Sequence, residues 1–161
     1  MQFALKDYRA CIRAFKTCLS ILRDQSIYGA ESGATMEEVE IKRLTKMQLQ
    51  SYYKIAISYA HLSKYERALW PLSKCIQIDP RNIEYRMERG KVYQNLELFD
   101  EAIEDFSWVI LNNEKNAHAF FRRAFAYKAT KEFVKAAEDF EMAKRLDPLN
   151  EKLVVSHKHL K

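Results

Sequence analysis

Apolar and small side chains recur along this chain at a spacing of 34 residues. Three segments, 49–82, 83–116 and 117–150, carry Tyr at their eleventh position (Tyr59, Tyr93, Tyr127) and Ala at their twentieth (Ala68, Ala102, Ala136). Their eighth position is always small (Ala56, Gly90, Ala124) and their twenty-fourth always large (Leu72, Phe106, Phe140). Small residues let two antiparallel helices approach closely, and the large ones fill the space between one helix pair and its neighbour. Near the end of the first and third segments Asp-Pro (Pro80, Pro148) stops a helix, because proline drives the residue before it out of helical geometry. The pattern predicts helices near 49–62, 65–78, 83–96, 99–112, 117–129 and 133–146. In the middle segment Glu114 stands where the others have Pro, and Val109 where they have Cys75 and Ala143. That weakens the turn after Leu111 and leaves the helices intact.

The flanks read as partial units. Cys11, Phe15 and Cys18 fall where a second helix would carry its small, large and small residues, so 1–23 reads as a partial unit, mainly its second helix. A complete partner would need about eight more residues upstream, which predicts a longer native chain. The stretch DQSIYGAESGAT holds two of the three Gly and reads as a loop. Thr35 and Glu38 then form a capping box, and the helix that follows is expected to run from about Met36 to Leu62. Residues 24–48 are thus a loop and the N-terminal extension of a long helix. Leu153, Val154 and Leu160 give 151–161 the spacing of a C-terminal capping helix. Pro71 falls inside the second helix of 49–82, where it costs about 3 kcal/mol and kinks the helix.

A 34-residue helix–turn–helix unit with these residues resembles the tetratricopeptide repeat (TPR) over 49–150. The resemblance implies an all-α protein, a TPR helix–turn–helix superhelix closed by the C-terminal capping helix. The inserted loop, lengthened helix and terminal helix are similar to the TPR domains of FK506-binding immunophilins and related co-chaperones. In that family positions two, five, six, nine, twelve and thirteen of each repeat face a concave groove. Carried over, they are Gln50, Tyr53, Lys54, Ile57, Ala60 and His61, then Glu84, Met87, Glu88, Lys91, Gln94 and Asn95, then His118, Phe121, Arg122, Phe125, Lys128 and Ala129. Tyr53, Met87, Phe121 and Phe125 are large apolar groups at positions expected to pack little against the repeat core, and such clusters suggest an interface. With the cations Lys54, Lys91 and Arg122 they form the expected partner-binding set.

The resemblance implies a non-catalytic scaffold that binds a protein or peptide segment. Its alternatives are a chaperone-binding domain and an accessory domain of a larger enzyme. A clamp for the carboxylate at a chaperone C-terminus takes Lys and Asn from one repeat, Asn from the next, and Lys and Arg from the third. The matching positions here hold Tyr53 and Ile57, then Glu88, then His118 and Arg122, of which Arg122 alone fits. Shifting the frame by one repeat offers Lys54, Glu84 and Glu88, whose carboxylates would repel an anionic terminus.

Composition adds exclusions. With 48% apolar and 30% charged residues among 161, the chain can bury a core and is not disordered throughout. Three Gly leave little room for a phosphate-cradling loop, and no nucleophile elbow is present. Cys11, Cys18 and Cys75 sit at positions that want small buried residues, so core filling is expected of them rather than ligation. His157 and His159 point to different faces of a helix, and neither they, His61 nor His118 suggests a metal site. The adjacent carboxylates Glu37–Glu38 and Glu104–Asp105 read as solvated faces. No catalytic residue, metal or cofactor is expected. The net charge of +5 is interrupted by an acidic middle repeat, four basic side chains against eight acidic, so no continuous basic stripe serves a nucleic acid. No apolar run is long enough to span a membrane. Three unpaired Cys and the absence of a signal-peptide pattern point to a cytoplasmic setting.

Overall fold

The computed structural model describes residues 8–21 and 38–148, and among these every regular element is a helix. The helices are α1 (8–21), α2 (Glu38–His61), α3 (Tyr65–Ile78), α4 (Ile83–Asn95), α5 (Phe99–Asn112), α6 (Ala117–Ala129) and α7 (Phe133–Leu146). None among the described residues is long and apolar enough to cross a membrane. The six expected helices are present, and α2 is described from Glu38 onward. Thr35 of the capping box, the loop ahead of it and the terminal helix at 151–161 lie outside the described residues.

The chain divides into two units, Met1–Arg81 and Asn82–Lys161. In the first, α2 and α3 form an antiparallel hairpin, and α1 lies against α2, with Tyr8 stacked on His61 at 4.7 Å between ring centroids. The buried residue of α1 is Ile12, with Phe15 and Leu19 half-buried on the same stripe. Cys11 is exposed and Cys18 only half-buried, which corrects the expectation that both fill the core. The bulkier aliphatic one position on takes the buried face instead. Cys75 does fill a core position, its thiol reaching the Leu49 carbonyl at 3.7 Å. Pro71 is buried within α3, which continues through it.

In the second unit α4–α5 and α6–α7 are successive hairpins. Ala102, Ala119, Ala124, Ala126, Ala136 and Ala143 are all fully buried, so the backbones meet closely, and Phe106 and Phe140 fill what lies between. Gly90 shows how close the fit is, since a Cβ there would stand 2.6 Å from Phe106 Cε1.

Each hairpin turns in the same way. Lys64 N–H donates to Tyr59 O (2.9 Å), Leu98 N–H to Tyr93 O (3.0 Å) and Glu132 N–H to Tyr127 O (2.8 Å), each enclosing a second bond between the residues one position inside it. This is the paired-bond stop that normally takes Gly at its left-handed residue. Here that residue is Ser63 (φ 54°), Glu97 (φ 60°) or Lys131 (φ 65°). The entry to the next helix is also repeated. Asn82 Oδ1 accepts from Glu84 N–H and Asn116 Oδ1 from Ala119 N–H, both at 3.0 Å, satisfying first-turn donors. The turn that lacks proline is closed by Asn113, whose Oδ1 accepts from Lys115 N–H and whose carbonyl accepts from Asn116 N–H.

Three outcomes follow for this fold. Lys131 is exposed, and a left-handed L-residue costs about 1–2 kcal/mol, while Gly gives back about 0.4–1 kcal/mol through the unfolded chain. Lys131→Gly should therefore raise the urea midpoint by up to about 1 kcal/mol equivalent; an unchanged or lower midpoint contradicts the strain. Burial pushes the Cys75 thiol up from 9.0 to about 12. A raised value means the folded state holds the proton more tightly, so this stabilisation is complete below pH 9 and is lost as pH climbs toward 12. Unfolding free energy should fall over that window more steeply in the wild type than in Cys75→Ala. In native alkylation Cys11 should react first and Cys75 only on unfolding.

Candidate functional site

The second unit is organised around two buried carboxylates. Asp105 of α5 is 2% exposed and takes a bidentate pair from Arg89 of α4, Nε to Oδ2 at 2.7 Å and Nη2 to Oδ1 at 2.8 Å. Arg86 adds Nη1 to Oδ1 at 3.1 Å, and its guanidinium lies 4.3 Å from the Trp108 ring centroid. Asp139 of α7 is held identically by Arg123 of α6, at 2.7 and 2.8 Å. The remaining arm of Arg123, Nη1, donates to Ser107 Oγ on α5 at 3.0 Å. The expectation of a solvated Glu104–Asp105 face is thus corrected. Glu104 is exposed, but Asp105 lies one residue round the helix and faces α4, where its arginine waits. Hydrogen bonding to the aspartates holds Arg89 and Arg123 above the ordinary guanidinium value, against the opposing pull of burial. A raised arginine keeps its stabilisation throughout the range below that value, so these pairs contribute no arginine-linked pH dependence near neutrality.

Gln94 joins α4 to α6 by donating Nε2–H to the Arg122 carbonyl at 2.7 Å. The expected groove draws on both helices. On α4 it carries Lys91, whose Nζ pairs with Glu88 at 2.6 Å. On α6 it carries the half-buried Arg122 and Phe125, which is 39% exposed. Phe121 and Phe125 meet edge-to-face at 4.9 Å, and both also contact Phe140, at 5.7 and 5.3 Å.

Met87 does not belong to that surface. It is 8% exposed and packs with Ala102, Phe106, Val109, Ala119 and Ala126. The reason is the small size of Ala119 and Ala126 on α6, which leaves room for the Met side chain of α4, the first helix of the preceding hairpin. Phe121 is half-buried and packs against two core clusters, one with Ala117, Phe120 and Ala143 and one with Ala124, Ala136 and Phe140. Tyr53 is half-buried and Lys54 exposed on α2, in the first unit. Gln94, one of the positions carried over as groove-facing, ties α4 to α6 through Nε2 and buries its Oε1, a structural role that its place in the repeat does not signal. The Arg–Asp pairs were also missed, although they recur at positions seven and twenty-three of two repeats, sixteen residues apart in each. In the first repeat the same two positions hold Ile55 and Pro71, both buried. Among the described residues no three His, Cys, Asp or Glu side chains are grouped to hold a metal ion.

Removing one member of a buried pair strands the other, at about 3–5 kcal/mol, whereas replacing both by apolar residues is near neutral. Asp139→Asn should therefore destabilise the second unit strongly in urea melts. Arg123→Met with Asp139→Leu should recover most of the loss, as the Ile55 and Pro71 pairing already does in the first repeat. A double variant no better than the single one contradicts this account.

No family model matches the chain. Over 84 residues, 52% of its length, it is 32% identical to human Sperm-associated antigen 1, and it spans 9% of that relative. Among solved structures it resembles the TPR domain of Arabidopsis OM64, with TM-score 0.69 and 23% identity, over 72% of this chain and 96% of that domain. The second TPR domain of human RPAP3, solved in complex with the HSP70 peptide SGPTIEEVD, matches with TM-score 0.68 and 27% identity, over 72% and 97%. The TPR2B domain of yeast Sti1, solved with an Hsp70 peptide, matches with TM-score 0.64 and 22% identity, over 71% and 93%.

Proposed function

Because the chain folds into helical hairpins of the tetratricopeptide-repeat type, we propose that it is a non-catalytic scaffold whose α4–α6 face binds a segment of a partner protein. The observation that carries this reading is Phe125, a large aromatic left 39% exposed on a rigid helix beside Arg122. Aromatics and Arg are the side chains that most often dominate binding energy, and aromatic anchors next to cations favour a segment with apolar residues and a few carboxylates. Lys91 contributes through long-range attraction, partly offset by Glu88. Tyr53 and Lys54 are further proposed contacts on the first unit. A cytoplasmic setting, with neither nucleic acid nor membrane as partner, goes with this reading and draws support from three free thiols and the acidic middle repeat.

A second reading is favoured by the solved neighbours that hold Hsp70 peptides, one of which ends in Glu-Glu-Val-Asp. Against it, Glu88 occupies the central clamp position, and His118 stands where a lysine is needed. Calorimetry with a peptide ending in Glu-Glu-Val-Asp separates the two. Weak or absent binding agrees with the first reading, while micromolar binding abolished by Arg122→Ala establishes the second.

For the general reading, a partner is isolated by pull-down and titrated against variants, with circular dichroism as folding control. Phe125→Ala should weaken binding by about 2 kcal/mol or more without loss of helicity. Lys91→Ala should mainly alter the association rate and its salt dependence. Phe121→Ala is a poorer probe, since that residue is more buried than Phe125 and packs against two core clusters. Binding unchanged in both Phe125→Ala and Lys91→Ala removes this face as the interface.

A further inference from the structure

A cleft of about 660 Å³ opens within the first unit, walled by Lys16, Leu19 and Ser20 of α1, Tyr52, Ile55 and Tyr59 of α2, and Arg67, Trp70 and Pro71 of α3. It lies on the other side of α2 from the groove positions. At 100° per residue, Tyr52, Ile55 and Tyr59 are about 180° round the helix from Tyr53, Lys54 and Ile57.

The cleft exists where the first repeat departs from the others. At positions nineteen, twenty-two and twenty-three the second repeat reads Glu101, Glu104 and Asp105, and the third reads Lys135, Glu138 and Asp139. The first reads Arg67, Trp70 and Pro71. Two carboxylates have given way to an indole and a buried proline. Position seven has changed in step, from the arginine that would pair with the aspartate to Ile55. The floor is therefore apolar where the other repeats are ionic. Above it Trp70 is 59% exposed and stands edge-on to Tyr52 at 5.5 Å. Lys16 Nζ lies 5.8 Å from the Tyr59 ring centroid, and Lys16 and Arg67 are both exposed. Neither Lys16 nor Arg67 forms an ion pair with a described residue.

We propose that this cleft is a second binding site, which takes an acidic peptide segment of a partner protein, one aromatic or aliphatic side chain entering between Trp70 and Tyr59 and flanking carboxylates meeting Lys16 and Arg67. The volume is within the range of pockets that enclose a small group. The cations sit at the exposed margin and Trp70 remains largely open to water. A ligand that keeps its charges solvated on either side of an apolar anchor fits that layout. A small molecule buried over most of its surface does not. Trp, Tyr and Arg are also the residue types that concentrate binding energy. The site is independent of the α4–α6 face and stands or falls without it.

The test is a selection of random twelve-residue peptides on the full chain, subtracted against Arg67→Glu with Trp70→Glu. These changes restore the residue types that the second repeat carries at the same exposed helix positions, so the fold is retained, as circular dichroism will verify. Peptides that survive subtraction should carry two or more Asp or Glu around an aromatic or aliphatic residue. The leading one, titrated by calorimetry, should bind Trp70→Glu at least about tenfold more weakly. It should lose affinity with salt, and bind Phe125→Ala like wild type. The proposal is overturned if no peptide distinguishes wild type from the double variant. It is equally overturned if the survivors are basic or lack an apolar anchor, or if Phe125→Ala and not Trp70→Glu abolishes binding.

Discussion

One arginine gripping one buried aspartate with two parallel hydrogen bonds fixes how the helices of the second unit face each other. The grip from Arg89 to Asp105 and that from Arg123 to Asp139 have the same atoms and nearly the same lengths. A planar fork meeting a planar carboxylate allows little rotation or sliding, so each pair sets both the height and the azimuth of one helix against its partner. Ion pairs of this kind add less net stability than an apolar filling would, because both groups leave water. Their effect here is on alignment. With α4 and α5 locked, Gly90 comes under the Phe106 ring, and the hollow left by Ala119 and Ala126 receives Met87. With α6 and α7 locked, Phe140 is held where Phe121 and Phe125 close on it.

Most of the helical framework was legible because it rests on volume. Small, large and aromatic side chains at fixed intervals can be read without knowing what they touch, and the helices begin and end where those intervals require. Polar roles are harder to read because they depend on direction. Glu104 and Asp105 look alike as neighbours in a sequence, yet a rotation of one residue sends one to water and the other to an arginine sixteen positions away. The error at Met87 is of the same type. Its position in the repeat is one that a partner can reach, but the alanines opposite leave a space that a flexible side chain fills first. Cys11 and Ile12 differ again by one step, and the larger aliphatic took the buried side.

The turns show how a regular architecture tolerates departures from its usual residues. Gly is missing from all three left-handed positions, and Pro from one helix stop, yet the backbone bonds are made in each case. At the helix entries Asn82 and Asn116 supply side-chain acceptors, and Asn113 does the work that proline does elsewhere. Local chemistry is interchangeable at these points as long as the orphan donors and acceptors at the helix ends are satisfied. The first hairpin goes further and exchanges an entire ionic contact for an isoleucine and a proline, with α2 and α3 still paired.

The spare arm of Arg123 makes the two hairpins of the second unit share a fate. Its Nη1 reaches back to Ser107 on α5 while the other two nitrogens hold Asp139 on α7. In a stack of repeats, cooperativity depends on how much each unit relies on its neighbour relative to its own internal contacts. Here the group that closes the later hairpin is also anchored in the earlier one. Fraying of α7 releases a charge into a partly buried seam and disturbs α5, and loosening of α5 removes one restraint on the guanidinium that holds α7. The two hairpins are thereby coupled, and amide protons of α5 and α7 are expected to share a common opening event instead of exchanging hairpin by hairpin.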